Sequence, residues 1–199
     1  GFELVKGAFY SFCKKAADDD EENAYFFIID EINRGNLSKI FGELFMLIES
    51  DKRGNELQLL YSRELFYVPR NVHIIGMMNM AARSLAMIDY ALRRRFSFLE
   101  IEPGFDSDGF IQYQKNLNNE TFNELVERVK DLNKKIALDK SLGKGFCIGH
   151  SYFCGHDTCT EEWLHSIVDF DILPMLSEYW FDDSAELQRW ENILHGVFQ

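Results

Sequence analysis

Residues 25–36 read YFFIIDEINRGN, an apolar run that ends in two adjacent carboxylates, Asp30 and Glu31. Side chains at the C-terminal end of a buried parallel strand enter the crevice where open α/β sheets bind ligands. The chemistry suited to such a pair is metal-assisted phosphoryl transfer. Asp30 can hold Mg²⁺ directly or through water, and Glu31 can polarise the attacking water and reach the metal through water. An Asp-Glu pair after a strand is also common as a solvated turn. Asn79 adds weight, because it closes a second apolar run, VHIIGMMN, at residues 72–79. On an adjacent parallel strand its amide would stand beside the carboxylates. There it could donate to a phosphate oxygen and orient water without adding negative charge, although Asn also starts turns. Arg93, Arg94 and Arg95 form a third group, after Ala91-Leu92 and before another apolar run. A helix C-terminus attracts basic residues through its dipole, which accounts for one of the three. Three in succession project outward, where a guanidinium can clamp a phosphate held by a neighbouring subunit.

The elements that position these groups follow from hydrophobic spacing. Residues 2–17 predict an amphipathic helix with Val5, Phe9, Phe12, Cys13 and Ala16 near one face. The acidic run 18–22 is a solvated loop. The continuous apolarity of 25–29 suits a parallel strand covered on both faces. Leu37, Ile40, Phe41, Leu44, Phe45 and Ile48 recur at helical spacing after a cap at Asn36 or Ser38. Residues 57–69 predict a hairpin turning at Ser62-Arg63. A strand over 72–78, a short helix over 84–94 and a third buried strand over 96–101 complete an α/β unit with a mainly parallel sheet. Residues 102–108 have the composition of a linker. Beyond them helices dominate: capping boxes at Thr121/Glu124 and Thr158/Glu161 open helices to about residues 138 and 173, and a last helix covers about 184–195. The expected domains are 1–103, a partial α/β core, and 104–199, an α-helical lid.

Composition bounds the function. A 199-residue chain with 46 % hydrophobic residues supports a real core. No apolar run approaches the roughly 20 residues that span a bilayer, so no membrane role is expected. The net charge of −12 is uneven: −3 over residues 1–103 and −9 over 104–199. Phosphate neutralisation drives nucleic-acid binding, so the second half makes a poor DNA surface, and DNA contact is expected only through regions or partners outside this chain. Cys13, Cys147, Cys154 and Cys159 are scattered and read as reduced thiols of a cytoplasmic protein.

Four segments together, DEINRGNLSKIFGELFMLIESDKRG, FYVPRNVHIIGMMN, RSLAMIDYALRRRFSFLEIEPGF and GKGFCIGHSYF, resemble the McrB-type subunit of modified-cytosine-dependent restriction systems. That family lies among the AAA+ ring NTPases, near the MoxR and dynein-related branch. The resemblance runs through most of the chain and is strongest over 25–105. It implies a P-loop NTPase core followed by a helical lid, with Mg²⁺ and ATP or GTP as cofactors. Asp30 and Glu31 resemble the Walker B pair, and Asn79 resembles the sensor of the terminal phosphate. Arg94 and Arg95 resemble fingers that reach into a neighbour's site, with Arg93 the weaker match. The hairpin at 57–69 resembles the insertion before the sensor strand. The resemblance further implies a homo-oligomeric ring, hexameric by analogy, and a separate nuclease subunit of the McrC type.

The chain departs from the family pattern in three places. Where relatives read MNTADRS, residues 78–84 read MNMAARS. Met80 and Ala82 replace Thr and Asp, and Arg83 is retained. Near Cys147 the lid lacks the basic residue common in relatives. The string G-x-x-x-x-G-K-[ST] does not occur; the nearest, SLGKGF at 141–146, lacks the hydroxyl residue and lies in the lid. With only 29 residues before Asp30 and Gly1 at the start, the expectation is an N-terminally truncated piece of a larger protein or a degenerate gene product. Cys147, His150, Cys154, His156 and Cys159 are dense enough to suggest zinc, but their spacing does not repeat a paired C-x₂-C pattern. Cys147 with His150 offers no orienting third group for a nucleophile.

Overall fold

In the computed structural model, which describes residues 3–79 and 93–199, two apolar runs of the first half pair in parallel. They are β1 (Tyr25–Ile29) and β4 (Val72–Gly76), in register from Tyr25 opposite Val72 to Ile29 opposite Gly76. The hairpin forms as β2 (Leu57–Gln58) and β3 (Leu65–Phe66), antiparallel. Arg63 takes the left-handed conformation in its turn (φ 59°). The chain divides into two units, Gly1–Leu99 and Glu100–Gln199.

In the first unit α1 (Ala8–Ala17) lies on one face of the sheet. Phe27 meets Phe9 and Phe12 edge-on, at 5.0 and 5.1 Å between ring centroids. α1 starts at Ala8, not at residue 2: Gly7 is extended at its N-cap, and Leu4 and Val5 are exposed. After the carboxylates comes α2 (Leu37–Phe41), capped by Asn36, whose side-chain oxygen accepts from the Lys39 amide at 2.9 Å. The expected single helix changes at Gly42 (φ 51°) into a 3₁₀ segment, Gly42–Ile48. Ile40, expected on the buried face, is exposed. Two small cores result. One joins Cys13, Ala16, Leu47, Phe66, Val68 and Val72; the other joins Ile32, Leu37, Phe41, Phe45 and Ile48. Asn71 ties the sheet to the loop before it. Its amide nitrogen lies 3.1–3.3 Å from the carbonyls of Ala16, Asp20 and Asn23.

Two expectations about the sheet are corrected. The strands are covered on one face, not two: β1 alternates half-buried and exposed residues, leaving Phe26 and Ile28 outside, with Ile75 beside them. Phe26 is stacked on His73. Residues 96–101 do not form a buried third strand. They run without a ladder, and Phe98, Leu99 and Ile101 are exposed. No described strand lies beside them. Phe96 alone packs, against the second small core. Most of the expected helix over 84–94, with Met80, Ala82 and Arg83, lies outside the described residues.

The second unit is all helical: α3 (Asp108–Leu117), α4 (Glu120–Leu138), α5 (Glu161–Ser166), a π-helical stretch Ile167–Ile172, α6 (Leu173–Tyr179) and α7 (Ser184–His195). The segment 102–108 is less a linker than part of this core, since Phe105 is buried against Phe110 and Phe153. The caps are Asn119, which accepts from Phe122 N, and Thr160, which accepts from Trp163 N. Neither expected Thr121 nor expected Thr158 serves, because Asn119 and Thr160 hold the extended conformation that N-caps require. α4 buries Phe122, Leu125, Val126, Val129, Leu132 and Ile136 at helical spacing. Ile167, Val168, Ile172, Leu176 and Leu194 are equally buried.

Candidate active site

The parallel pairing continues past the last paired residues. The Met77 amide donates to Ile29 O at 2.9 Å, and the Ile32 amide donates to Met77 O at 2.9 Å. The segment carrying Asp30 and Glu31 is therefore stitched to the segment that leads to Asn79. Gly76 permits this closeness: a Cβ there would stand 2.5 Å from Ile32 Cδ1. Asp30 Oδ1 accepts from the Glu31 amide at 2.9 Å, which turns the chain tightly. Glu31 adopts φ 49°, a conformation that costs a non-glycine residue about 1 kcal/mol. Such local strain recurs at functional sites. The Glu31 carboxylate pairs with Arg34 Nε at 3.0 Å. Both groups are largely exposed, so the pair contributes little stability. Asp30 and Asn79 are also exposed.

The donor set at this sheet end is carboxylate oxygen and amide, which suits a hard cation such as Mg²⁺ that keeps several waters. Asp30 has one oxygen occupied by the Glu31 amide and is itself exposed. No G-x-x-x-x-G-K-[ST] string, whose backbone N–H groups and Lys cradle a triphosphate, occurs in residues 1–199.

The arginines stand elsewhere on the same unit. An open cleft of about 790 Å³ runs past the start of β4, bordered by Glu49, Arg53, Arg70, His73, Arg94 and Arg95, among others. Asp30, Glu31 and Asn79 do not line it. Arg53 is structural: it donates to Ile48 O at 3.1 Å and Val72 O at 2.9 Å. Arg94 is exposed. Arg95 is held within its own unit: Nη2 lies 2.6 Å from Glu49 Oε1, Nε donates to Phe45 O at 3.2 Å, and the guanidinium covers the Phe45 ring at 4.3 Å. Sequence reasoning placed Phe45 on the apolar face of the helix after Asn36 and did not name Glu49. No sequence signal pairs either residue with Arg95. Arg34, three residues after Glu31, was within reach of such reasoning.

Cys147, His150, Cys154 and His156 make local contacts within the second unit. His150 Nδ1 accepts from the Gly104 amide at 2.9 Å, and His156 stacks on Trp163. The Cys147 and Cys154 thiols lie against the carbonyls of Asn133 and His150. Burial pushes the Cys147, Cys154 and Cys159 thiols up, away from the thiolate that a nucleophile or zinc ligand needs. Among the described residues no group of three or more His, Cys, Asp or Glu could hold a metal.

Comparison with known proteins assigns both units. Residues 1–96 match the AAA domain (dynein-related subfamily), and residues 124–188 match the alpha-helical lid domain of McrB. The chain is 52 % identical, over 98 % of its length, to 45 % of the type IV methyl-directed restriction enzyme EcoKMcrB subunit of Escherichia coli strain K12. Over 73 % of its length it is 29 % identical to 48 % of the type II restriction enzyme BsuMI component YdiS of Bacillus subtilis strain 168. The chain thus spans about half the length of the curated relatives it matches.

Proposed function

The chain belongs to the McrB-type family of AAA+ proteins, and from that premise we propose that the intact protein is one subunit of a ring NTPase that drives a separate restriction nuclease. The observation that carries the reading is the stitched sheet end, where backbone hydrogen bonds hold the Asp30-Glu31 turn against Met77, two residues before Asn79. Asp30 would hold Mg²⁺ directly or through water, and the ion would supply neutralisation of phosphate charge. Glu31 orients and polarises the attacking water, for which it must leave Arg34. Asn79 donates to the terminal phosphate. The turn Arg93–Arg95 supplies the finger that completes a neighbour's site, in a closed ring that is hexameric by analogy. ATP and GTP are both admitted. The nuclease is McrC-like, and methylated DNA is recognised by regions or partners beyond residues 1–199.

Glu31→Gln in the full-length protein is expected to abolish turnover of NTP and to preserve nucleotide binding; unchanged turnover rejects the assignment. Residues 1–199 alone are expected to hydrolyse NTP no faster than the same chain carrying Glu31→Gln. A second reading, a non-hydrolysing ring component, is favoured by Met80 and Ala82, since Ala82 cannot orient water. Full-length protein that binds nucleotide and assembles but shows no turnover selects it.

A further inference from the structure

We propose that Arg95 is the anchor of the arginine turn and Arg94 its reaching arginine, with Glu49 and Phe45 as the positioning residues that fix the anchor. The proposal rests on the ring-NTPase reading and divides labour within it. Arg95 makes three kinds of contact at once. It has a charge-assisted pair with Glu49 at 2.6 Å, a hydrogen bond to Phe45 O at 3.2 Å and a cation–π contact with the Phe45 ring at 4.3 Å. Its side chain is 18 % exposed and that of Glu49 32 %. A guanidinium held this way, with its planar fork already matched to a carboxylate, is costly to withdraw and present to a second anion. Phe96 adds a second hold, packing on the same cluster of Ile32, Leu37, Phe41, Phe45 and Ile48. Arg94, immediately before these two anchored residues, is exposed at the edge of the open cleft. Fixing its backbone limits the orientations it must lose on meeting a phosphate, which is the physical content of preorganisation. The anchoring segment begins at Leu37, six residues after Glu31. Each subunit's own carboxylate segment therefore leads into the support for the arginine it offers to its neighbour.

Two experiments test this. The first uses the chain as it stands and needs no turnover. In thermal unfolding, Glu49→Gln and Arg95→Ala are each expected to lower Tm, the double variant is expected to be no worse than the poorer single, and Arg94→Ala is expected to leave Tm unchanged. Additive losses, or an equal loss from Arg94→Ala, overturn the anchor. The second uses full-length rings with NTP and Mg²⁺. Glu49→Gln is expected to reduce kcat about a hundredfold, the cost of misplacing a catalytic group by about 1 Å, with little change in KM. Mixing these subunits with Glu31→Gln subunits is expected to restore turnover, because the latter bring intact arginine turns to intact Glu49→Gln sites. Rescue of Arg94→Ala but not of Glu49→Gln by the same mixing overturns the positioning role, since Glu49 would then act on its own site. Failure to rescue Arg94→Ala rejects the trans arrangement itself, and the unfolding cycle still decides the anchor.

Discussion

The two units bury their apolar residues in different ways. In Glu100–Gln199, one long helix aligns six buried side chains, and residues from α5, the π-helical stretch, α6 and α7 close over them. In Gly1–Leu99, two clusters of six and five buried residues sit on one side of a two-stranded sheet, whose other side shows Phe26, Ile28 and Ile75 to solvent. A helical unit satisfies its backbone locally and needs only one apolar stripe covered. A parallel sheet needs cover on both faces and partners at both edges. Stability should therefore concentrate in the second unit, and sensitivity to added surfaces in the first.

The comparison breaks first if the helical core is not the stable one. Leu132→Ala, at a site with no exposure, is expected to cost about 2–5 kcal/mol in chemical denaturation followed by tryptophan fluorescence. In the first unit a polar residue supplies a second test. Asn71→Ala strands the carbonyls it holds and is expected to cost about 1–3 kcal/mol, with faster hydrogen exchange in the loop before β1. A third test is acid. The Ser141 hydroxyl, then the Ser141 amide and the Trp180 indole, hold the Asp139 carboxylate down to about 2 from its ordinary 3.8. A depressed carboxylate contributes stability that is fully present above its ordinary value and is lost as pH falls through about 2. Asp139→Asn is therefore expected to flatten the acid limb of unfolding between about pH 4 and pH 2; an unchanged limb rejects the role. The smallest effect sharpens the contrast: Ile28→Thr on the open face is expected to change stability by less than about 0.5 kcal/mol while reducing binding of an apolar dye.

Legibility tracked how locally each feature is determined. The end helix over 184–195, the hairpin and the parallel pair were readable because spacing and turn residues act within a few positions. The third strand at 96–101 was misread because apolar composition signals a strand's preference and not the presence of a neighbour. The extra helix α3 was missed because Glu102–Asp108 looks like a linker, and only the finished core shows Phe105 inside it. At the candidate site, the proximity of the Asp30-Glu31 turn to the chain leading into Asn79 followed from one strand-pairing assumption. The partner of Arg95 did not, because Glu49 lies 46 residues earlier and no periodicity links them.

The close approach of Gly76 to Ile32 has a consequence for how this sequence can drift. The two positions share one small volume, and a methyl added at 76 must take it from 32. Substitutions at these sites should therefore appear as linked pairs, a larger residue at 76 accompanied by a smaller one at 32. Through that linkage, a glycine with no chemistry of its own limits the variation open to the residue that follows Glu31.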